Sequence, residues 1–156
     1  MNAMTSSVRL RAARDDEAET LSLLALRSKG HWGYDEAFMA ACADELRMNP
    51  GEMAARRATV AEEDGALLGF TTLEGEVPQG VLGMLFVEPE AIGRGLGRLL
   101  YQHVMDRARE LGFDRLTIDA DPNAEPFYLA MGAVRIGEVP SGSIPGRVLP
   151  LLEARP

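Results

Sequence analysis

The sequence predicts a single α/β domain, because strand-like and helix-like segments follow one another along the whole chain. The 156 residues have the length of one domain, and a hydrophobic content of 46% with mixed charge is typical of a globular protein. Alternating or continuous apolar runs indicate β-strands, whereas apolar residues at three- and four-residue spacing indicate amphipathic helices. We expect one domain over residues 8–156, after a loose lead-in at residues 1–7.

The first half of the chain is predicted to contain a strand, two helices and a hairpin. Apolar residues at helical spacing mark the helices, and Asn49-Pro50-Gly51 ends the second one. Asp64-Gly65 indicates the hairpin, because this dipeptide tolerates the positive φ of a tight turn. The predicted elements are a strand at Val8–Ala12, helices at Asp15–Gly30 and Asp35–Met48, and strands at Ala58–Ala61 and Ala66–Leu73.

The second half is predicted to alternate strands and helices. Asp121 as N-cap, followed by Pro122 at the first helical position, indicates the start of a short helix. Pro150 would place the last strand at a sheet edge, and pairing of that edge near Leu149 would allow a homodimer. The predicted elements are strands at Leu82–Val87, Arg115–Asp119, Ala133–Gly137 and Arg147–Leu152, and helices at Gly95–Leu111 and Asp121–Met131.

Charge and composition exclude several classes of protein. A net charge of −8, from 24 acidic and 16 basic residues, argues against binding nucleic acid. The apolar runs are much shorter than the roughly 20 residues that span a bilayer, and the N-terminus lacks the pattern of a signal peptide. The single cysteine, Cys42, excludes an intrachain disulfide and favours a cytoplasmic location.

A glycine-rich turn connects one predicted strand to the longest predicted helix. Leu82–Val87 is a continuous apolar run that Glu88-Pro89-Glu90 ends, and glycines follow at positions 93, 95 and 97. Glycine lets backbone N–H groups approach a ligand that a Cβ would hold off, and the first turn of a helix has unpaired N–H donors. The turn therefore predicts a site for an anion such as phosphate or pyrophosphate.

Two common phosphate-binding turns fit this segment poorly. A P-loop ends in Gly-Lys-Ser/Thr, whereas Gly97 is followed by Arg98-Leu99 and the only lysine of the chain is Lys29. A dinucleotide-binding turn requires a third glycine where Arg98 stands, within a repeated strand–helix–strand order that the predicted elements lack.

A third kind of turn fits better. The segment resembles the cofactor-binding signature of the GNAT superfamily of N-acetyltransferases, Gln/Arg-x-x-Gly-x-Gly/Ala, carried here by Ile92-Gly93-Arg94-Gly95-Leu96-Gly97. Asn123-x-x-Pro-Phe-Tyr-Leu-x-Met-Gly is similar to a second stretch of that family. Ile92 replaces the usual glutamine or arginine, so that position offers only a backbone N–H to the cofactor.

The resemblance extends over nearly the whole chain, since the predicted order β-α-α-β-β-β-α-β-α-β-β is also that of the family. It implies a central mixed, mostly antiparallel twisted sheet of six to seven strands, flanked by about four helices. It further implies that the sheet is splayed between its fourth and fifth strands.

The resemblance also implies that acetyl-coenzyme A (acetyl-CoA) is the co-substrate and lies in that splay. The backbone of Leu85 and Val87 would pair with the pantetheine amides, and the Leu85 N–H would polarise the acetyl carbonyl. Backbone N–H groups of the glycine turn would bind the pyrophosphate. The implied cofactor-binding residues are Leu85, Phe86, Val87, Ile92, Gly93, Arg94, Gly95, Leu96, Gly97, Arg98, Asn123 and Tyr128.

Two catalytic residues are expected, of which the resemblance implies only the first. Tyr128 matches the family's tyrosine that protonates the leaving thiolate, as a general acid does. Val81 stands where some members have a glutamate base and cannot act as one. We expect Glu74 to accept the proton of the amine, with Glu76, Asp119 or a chain of water molecules as alternatives.

The acceptor site is expected at the linker between the first two helices, which by resemblance walls the acceptor pocket. Its aromatic residues favour substrate contact, because packing explains an aromatic cluster in a loop less well than one in a helix. No set of histidine, cysteine and carboxylate residues has the spacing of metal ligands, so no metal site is predicted. The expected substrate-binding residues are His31, Trp32, Tyr34, Glu74 and Asp119.

These expectations combine into one function. The chain is predicted to be an N-acetyltransferase that moves an acetyl group from acetyl-CoA to the primary amine of a small molecule, by direct attack in a ternary complex. One alternative is a non-catalytic domain that binds or senses acyl-CoA. The other is an acetyltransferase that acts on protein N-termini or lysines.

Overall fold

The computed structural model describes residues 7–156, so all but the last residue of the predicted lead-in lies outside the described residues. Seven strands form one sheet in the order β1-β2-β3-β4-β5-β7-β6, in which only β4 and β5 pair in parallel. The strands are β1 (Arg9–Ala12), β2 (Thr59–Glu63), β3 (Ala66–Glu76), β4 (Gln79–Val87), β5 (Arg115–Asp119), β6 (Val134–Pro140) and β7 (Val148–Ala154), and the helices are α1 (Ala18–Gly30), α2 (Glu36–Cys42), α3 (Leu96–Leu111) and α4 (Glu125–Ala130). The predicted fold class is therefore confirmed.

Helices cover both faces of the sheet. On one face, α3 and α4 pack through side chains such as Val104 and Tyr128 against Leu82 of β4. On the other face, α1 and α2 pack through Leu24 and Cys42 against buried residues of β2, β3 and β4. Cys42 is buried in this second core.

Three predicted helices have wrong bounds. The first α-helix begins at Ala18 and not at Asp15, because Asp15–Glu17 form a 3-10 turn before it. The second helix ends at Cys42 and not at Met48, because the chain continues in hydrogen-bonded turns that bury Leu46 and Met48. The last helix begins at Glu125 and not at Asp121. Asp121 instead starts a turn, in which its carbonyl accepts a hydrogen bond from the Ala124 N–H at 2.8 Å.

The prediction that Pro150 marks an edge strand is wrong, and with it the expected dimer pairing near Leu149. β7 lies inside the sheet between β5 and β6, and the edges are β1 and β6. The carbonyl of Pro150 accepts a hydrogen bond from the Ala120 N–H. The N–H and C=O of one residue point to the same side of a strand, so the N–H that Pro150 lacks would also point toward β5. The pairing of β5 with β7 ends at Asp119, and the missing N–H therefore falls at the end of that pairing.

The fourth and fifth strands diverge, as predicted. They pair only over Gln79–Val81 and Arg115–Thr117, and beyond these residues β4 has a neighbour on its β3 side alone. A register shift between Thr71 and Leu73 bends β4 at the point of divergence. The splay opens a cleft between β4 and β5.

Candidate active site

A cleft of about 890 Å³ occupies the splay between β4 and β5. Its floor is the second half of β4, and one end reaches the glycine turn before α3. The other end lies between the end of α1 and the connection from β6 to β7. The residues that line it include Lys29, His31, Trp32, Glu45, Leu82, Gly83, Met84, Leu85, Phe86, Val87, Ile92, Gly93, Gly95, Leu96, Gly97, Arg98, Asp119, Asp121, Asn123, Phe127, Tyr128, Pro140, Gly142 and Arg147.

The backbone of β4 presents unpaired groups to this cleft. The N–H and C=O of Met84 both face β3, where the hydroxyls of Thr72 and Thr71 bond them at 2.9 and 2.7 Å. Backbone groups alternate in direction along a strand, so those of Leu85 and Val87 face the opposite side. That side is the cleft, where β5 has already diverged. An extended amide chain bound there would pair with β4 as an added strand does.

The glycine turn is shaped for an anion. Gly93 and Gly95 have φ values of +93° and +79°, a region that favours glycine, and a Cβ built on either would point into open space. The N–H groups of residues 93–98 make no hydrogen bond within the described part of the chain. The open space above these donors therefore fits a pyrophosphate.

The side chains of the turn differ in what they offer an anion. Arg94 points away and binds both carboxylate oxygens of Glu63, at 2.9 and 2.8 Å, which holds the pKa of Glu63 at about 2. Arg98 lines the cleft, and so does Ile92, a residue that is 55% exposed. A Cβ on Gly97 would lie 3.2 Å from the ring of Phe127, so this glycine also serves packing.

Tyr128 lies on the cleft wall, held between other aromatic rings. Its ring centroid is 6.2 Å from that of Tyr101 and 5.2 Å from that of Phe127. Burial, with smaller effects of Tyr101 and Asp121, raises the pKa of the Tyr128 phenol far above its ordinary value. The phenol is therefore protonated at neutral pH. Within the described chain its hydroxyl has no hydrogen-bond partner, so it remains available to a ligand.

Glu74 is held beside the cleft. Its Oε2 accepts hydrogen bonds from the Arg56 guanidinium at 3.0 and 3.1 Å and from the Thr72 hydroxyl at 2.7 Å. A Cβ built on Gly83 would fall 2.1 Å from the same oxygen. Gly83 lines the cleft and Glu74 does not. The Glu74 carboxylate is therefore behind Gly83, which has no side chain to separate it from the acceptor end. Asp119 lines the cleft directly, with an exposed side chain.

A charged network joins four segments of the chain at the acceptor end. Asp121 accepts hydrogen bonds from Lys29 Nζ at 2.9 Å, from the Tyr34 hydroxyl at 2.9 Å and from the Asn123 N–H at 2.8 Å. The Tyr34 hydroxyl in turn accepts from Asn123 Nδ2 and from Arg147 Nη2, both at 2.9 Å. Burial and the hydrogen bond to Asp121 raise the pKa of Tyr34. Tyr34 thus links the segments that form the wall of the cleft. Asn123 is part of the same network and also lines the cleft.

The aromatic linker divides into two parts. His31 and Trp32 line the cleft, with their ring centroids 6.3 Å apart. Tyr34 is absent from the lining and stacks on Phe38 with centroids 4.0 Å apart. Of the three expected aromatic contacts, the structure brings His31 and Trp32 to the cleft and places Tyr34 behind it.

Besides Asp121, which was predicted only as a helix cap, three charged residues of the cleft were not expected from the sequence: Lys29, Glu45 and Arg147. Glu45 accepts a hydrogen bond from the Ser143 hydroxyl at 2.9 Å and so joins the segment after α2 to the β6–β7 connection. The three residues come from different segments and belong to no motif. One signal did exist, because Lys29 is the only lysine of the chain.

Two other kinds of feature are absent from residues 7–156, a metal centre and a membrane-spanning helix. No group of three or more histidine, cysteine or carboxylate side chains there could hold a metal ion. No helix in that range has the length and apolar character to cross a bilayer.

Comparison with known proteins gives a consistent family. The model of the acetyltransferase (GNAT) domain matches residues 13–141. A peptidyl-lysine N-acetyltransferase, YiaC of Escherichia coli (strain K12), is 39% identical over 74 residues, which are 47% of this chain and 47% of that protein. Matches to the curated relatives cover 38% to 58% of their own length.

Solved structures agree over nearly the whole chain. A GCN5-related N-acetyltransferase from Rhodopseudomonas palustris superposes with a TM-score of 0.78 at 25% identity, covering 96% of both chains. The PaiA N-acetyltransferase of Thermoplasma acidophilum, solved in complex with coenzyme A, gives a TM-score of 0.75 at 17% identity, covering 96% of this chain and 99% of that one.

Proposed function

Because this chain belongs to the GNAT family of acetyltransferases, we propose that it transfers the acetyl group of acetyl-CoA to the primary amine of a small molecule. The observation that carries the proposal is the continuity of the cleft. The unpaired backbone of β4 and the open glycine turn lie on one cavity, as an extended amide chain that ends in a pyrophosphate requires.

The residues present fit acetyl-CoA, which supplies an activated thioester when bound. N–H groups of residues 93–98 bind the pyrophosphate, with Arg98 beside them. Leu85 and Val87 pair with the pantetheine amides, and Asn123 binds the same arm from the opposite wall. Ile92, Leu96 and Phe86 shape the channel through apolar contact.

Catalysis follows from what these residues do around one carbonyl. The amine nitrogen bonds to the acetyl carbon, and the Leu85 N–H stabilises the negative charge that develops on the carbonyl oxygen. The C–S bond then breaks, and Tyr128 donates its proton to the departing sulfur. Because burial raises the pKa of the Tyr128 phenol, the phenol is protonated at neutral pH and has a proton to donate.

We propose Glu74 as the group that accepts the proton of the amine, through water that enters past Gly83. The absence of a Cβ on Gly83 supports this route, since a side chain there would collide with the carboxylate. Arg56 holds the Glu74 carboxylate in place through an ion pair at 3.0 Å, and a positioned carboxylate can accept a proton as a general base. Asp119, which lines the cleft, contacts the amine in this proposal.

A small acceptor is supported by cross-links that wall the acceptor end. Tyr34 bonds Arg147, and Glu45 bonds Ser143, so the segments after α1 and α2 are both tied to the β6–β7 connection. A protein chain laid across this end would have to break these contacts. We further propose that residues 8–156 act as one domain in the cytoplasm, where the lone Cys42 stays reduced.

The test combines binding with turnover. Calorimetric titration with acetyl-CoA is expected to show one site per chain, and a panel of amines is then expected to release free thiol. Binding without release by any amine or peptide would indicate a sensor. Release with lysine peptides or protein N-termini, but with no small amine, would replace the proposal by a protein acetyltransferase.

A further inference from the structure

Two poorly exposed cations at the acceptor end, Lys29 and Arg147, point to a substrate class. We propose that the acceptor amine carries a carboxylate, which Arg147 binds with the help of Lys29. This inference rests on the proposed function and extends it to the acceptor. We call Lys29, Arg147 and their shared partner Asp121 the cationic cluster.

The cationic cluster is not neutral. Lys29 and Arg147 lie 2.9 and 3.5 Å from Asp121, and the described chain places no other carboxylate within 4 Å of either cation. Their side chains are only 11% and 17% exposed, and that of Asp121 is 13% exposed. Two cations thus share one anion in a poorly solvated place, within a chain of net charge −8. A buried cluster is stable only when its charges are compensated, so the cluster favours one further anion.

The cationic cluster also has unused donors. Arg147 uses Nη2 for the Tyr34 hydroxyl, while its Nη1 and Nε have no partner within residues 7–156. The guanidinium is held in place by rings, 4.8 Å from the centroid of Phe38 and 5.4 Å from that of Tyr34. A fixed guanidinium edge matches the two oxygens of a carboxylate. Lys29 donates one of its three ammonium hydrogens to Asp121 and has capacity for another acceptor.

The anion that the cluster favours does not come from the cofactor. The phosphates have their own site at residues 93–98, whereas the cluster adjoins Asn123, where the uncharged pantetheine arm passes in the proposed complex. Lys29 and Arg147 both line the cleft. A carboxylate bound between them would belong to the acceptor and would set the distance from its amine to the thioester.

The experiment pairs acceptors that differ by one carboxylate. Amino acids of varied length are compared with the amines left by removing their carboxylate, using wild type, Arg147→Met and the control Arg155→Met, which changes an exposed arginine outside the cleft. Wild type is expected to prefer the carboxylate-bearing member. Arg147→Met is expected to raise its KM about 10- to 100-fold, the usual effect of losing a hydrogen bond to a charged group, with little change in kcat. KM for the decarboxylated partner is expected to stay within about twofold.

A structural role for the cluster would give another pattern. If Arg147→Met, or the second variant Lys29→Met, weakens both members of each pair equally, the inference is wrong. It is also wrong if wild type uses decarboxylated amines equally well. If no amine is acetylated, the proposed function fails, and calorimetry of the same pairs on the CoA-loaded protein still decides whether the carboxylate is bound.

Discussion

The two halves of the cleft are built in different ways. The half that fits acetyl-CoA uses main-chain groups of β4 and of one short turn, with glycines that remove side chains from the space above them. The acceptor half uses charged and aromatic side chains from the ends of α1 and β5 and from the connection between β6 and β7. Backbone recognition suits a ligand that never changes, whereas side chains on loops can be altered without disturbing the sheet.

The difference predicts where substitutions act. Changes in the cofactor half should affect every acceptor equally, because the acetyl donor is common to all. Changes in the acceptor half should separate one acceptor from another. The predictions below test this division, beginning with the largest expected effect.

Replacing the Tyr128 hydroxyl should have the largest effect. Tyr128→Phe is expected to lower kcat about 10²- to 10⁴-fold, the usual contribution of a general acid. The dissociation constant for acetyl-CoA should change less than about twofold, because the ring still packs on Tyr101 and Phe127. Stopped-flow measurement of thiol release and calorimetry provide the two values.

Tyr101→Phe is the matched control, since Tyr101 is a buried phenol of the same aromatic cluster that does not line the cleft. Its kcat should match wild type. Equal losses in both variants would assign the effect to packing and remove Tyr128 as the acid.

Filling the space above the glycine turn should come next. Gly95→Val is expected to weaken acetyl-CoA binding about 100-fold or more, because its side chain occupies the place of an anion held by several N–H donors. The strain at φ +79° should also lower the free energy of unfolding by about 1–2 kcal/mol. Calorimetry and denaturant titration separate the two effects.

Gly65→Val provides a control with the same strain. Gly65 has φ +81° in the turn between β2 and β3, and a Cβ there also meets open space. This variant should lose comparable stability and keep wild-type affinity for acetyl-CoA. If the two variants bind alike, the glycine turn is not the pyrophosphate site.

The fold and the cofactor half were predictable because their signals are local. The order of strands and helices follows from patterns within a few residues of each other, the glycine turn is one contiguous segment, and the splay was implied by the family resemblance that this segment carries. The errors arose where distant contacts decide. Pro150 suggests an edge, but its strand is enclosed by β5 and β6 because the N–H that it lacks falls beyond the end of β5.

The acceptor half was less predictable for the same reason. Asp121 has the sequence of a helix cap, yet its carboxylate is taken by Lys29, 92 residues away, and by Tyr34, 87 residues away. No spacing rule connects such positions. Glu45 and Arg147 likewise reach the cleft only through the packing of separate segments. The sequence does predict the acetyl donor, acetyl-CoA, because its binding needs one contiguous motif.

Removing the proposed base should have a smaller effect. Glu74→Gln is expected to lower kcat/KM about 10- to 100-fold near neutral pH, less than loss of a base in direct contact, because water relays the proton. Glu76→Gln is the control, since Glu76 is an exposed carboxylate at the end of the same strand. Should both variants match wild type across the pH range, the amine loses its proton to water without help from either carboxylate.

The smallest expected effect concerns the stability that Asp121 gives the acceptor half. Burial raises the pKa of Asp121, but hydrogen bonds from Lys29 and the Asn123 N–H lower it more, so the pKa lies below its ordinary value of 3.8. The unfolded chain therefore binds the proton more readily, and the stabilisation is complete above about pH 4 and lost as the pH falls through the folded pKa. Asp121→Asn should lower the free energy of unfolding by about 2 kcal/mol at pH 7, since it leaves two cations facing each other without an anion.

Denaturant titrations from pH 7 to pH 2 test this dependence. The difference between wild type and Asp121→Asn should shrink as the carboxylate becomes protonated, whereas a loss of shape alone would persist at every pH. The comparison of the two halves gives a second criterion. At neutral pH the variant should keep most of its affinity for acetyl-CoA, because the glycine turn and the backbone of β4 do not depend on Asp121. A large loss of acetyl-CoA affinity would instead mean that the charged network also positions the cofactor, and the two halves would then act as one site.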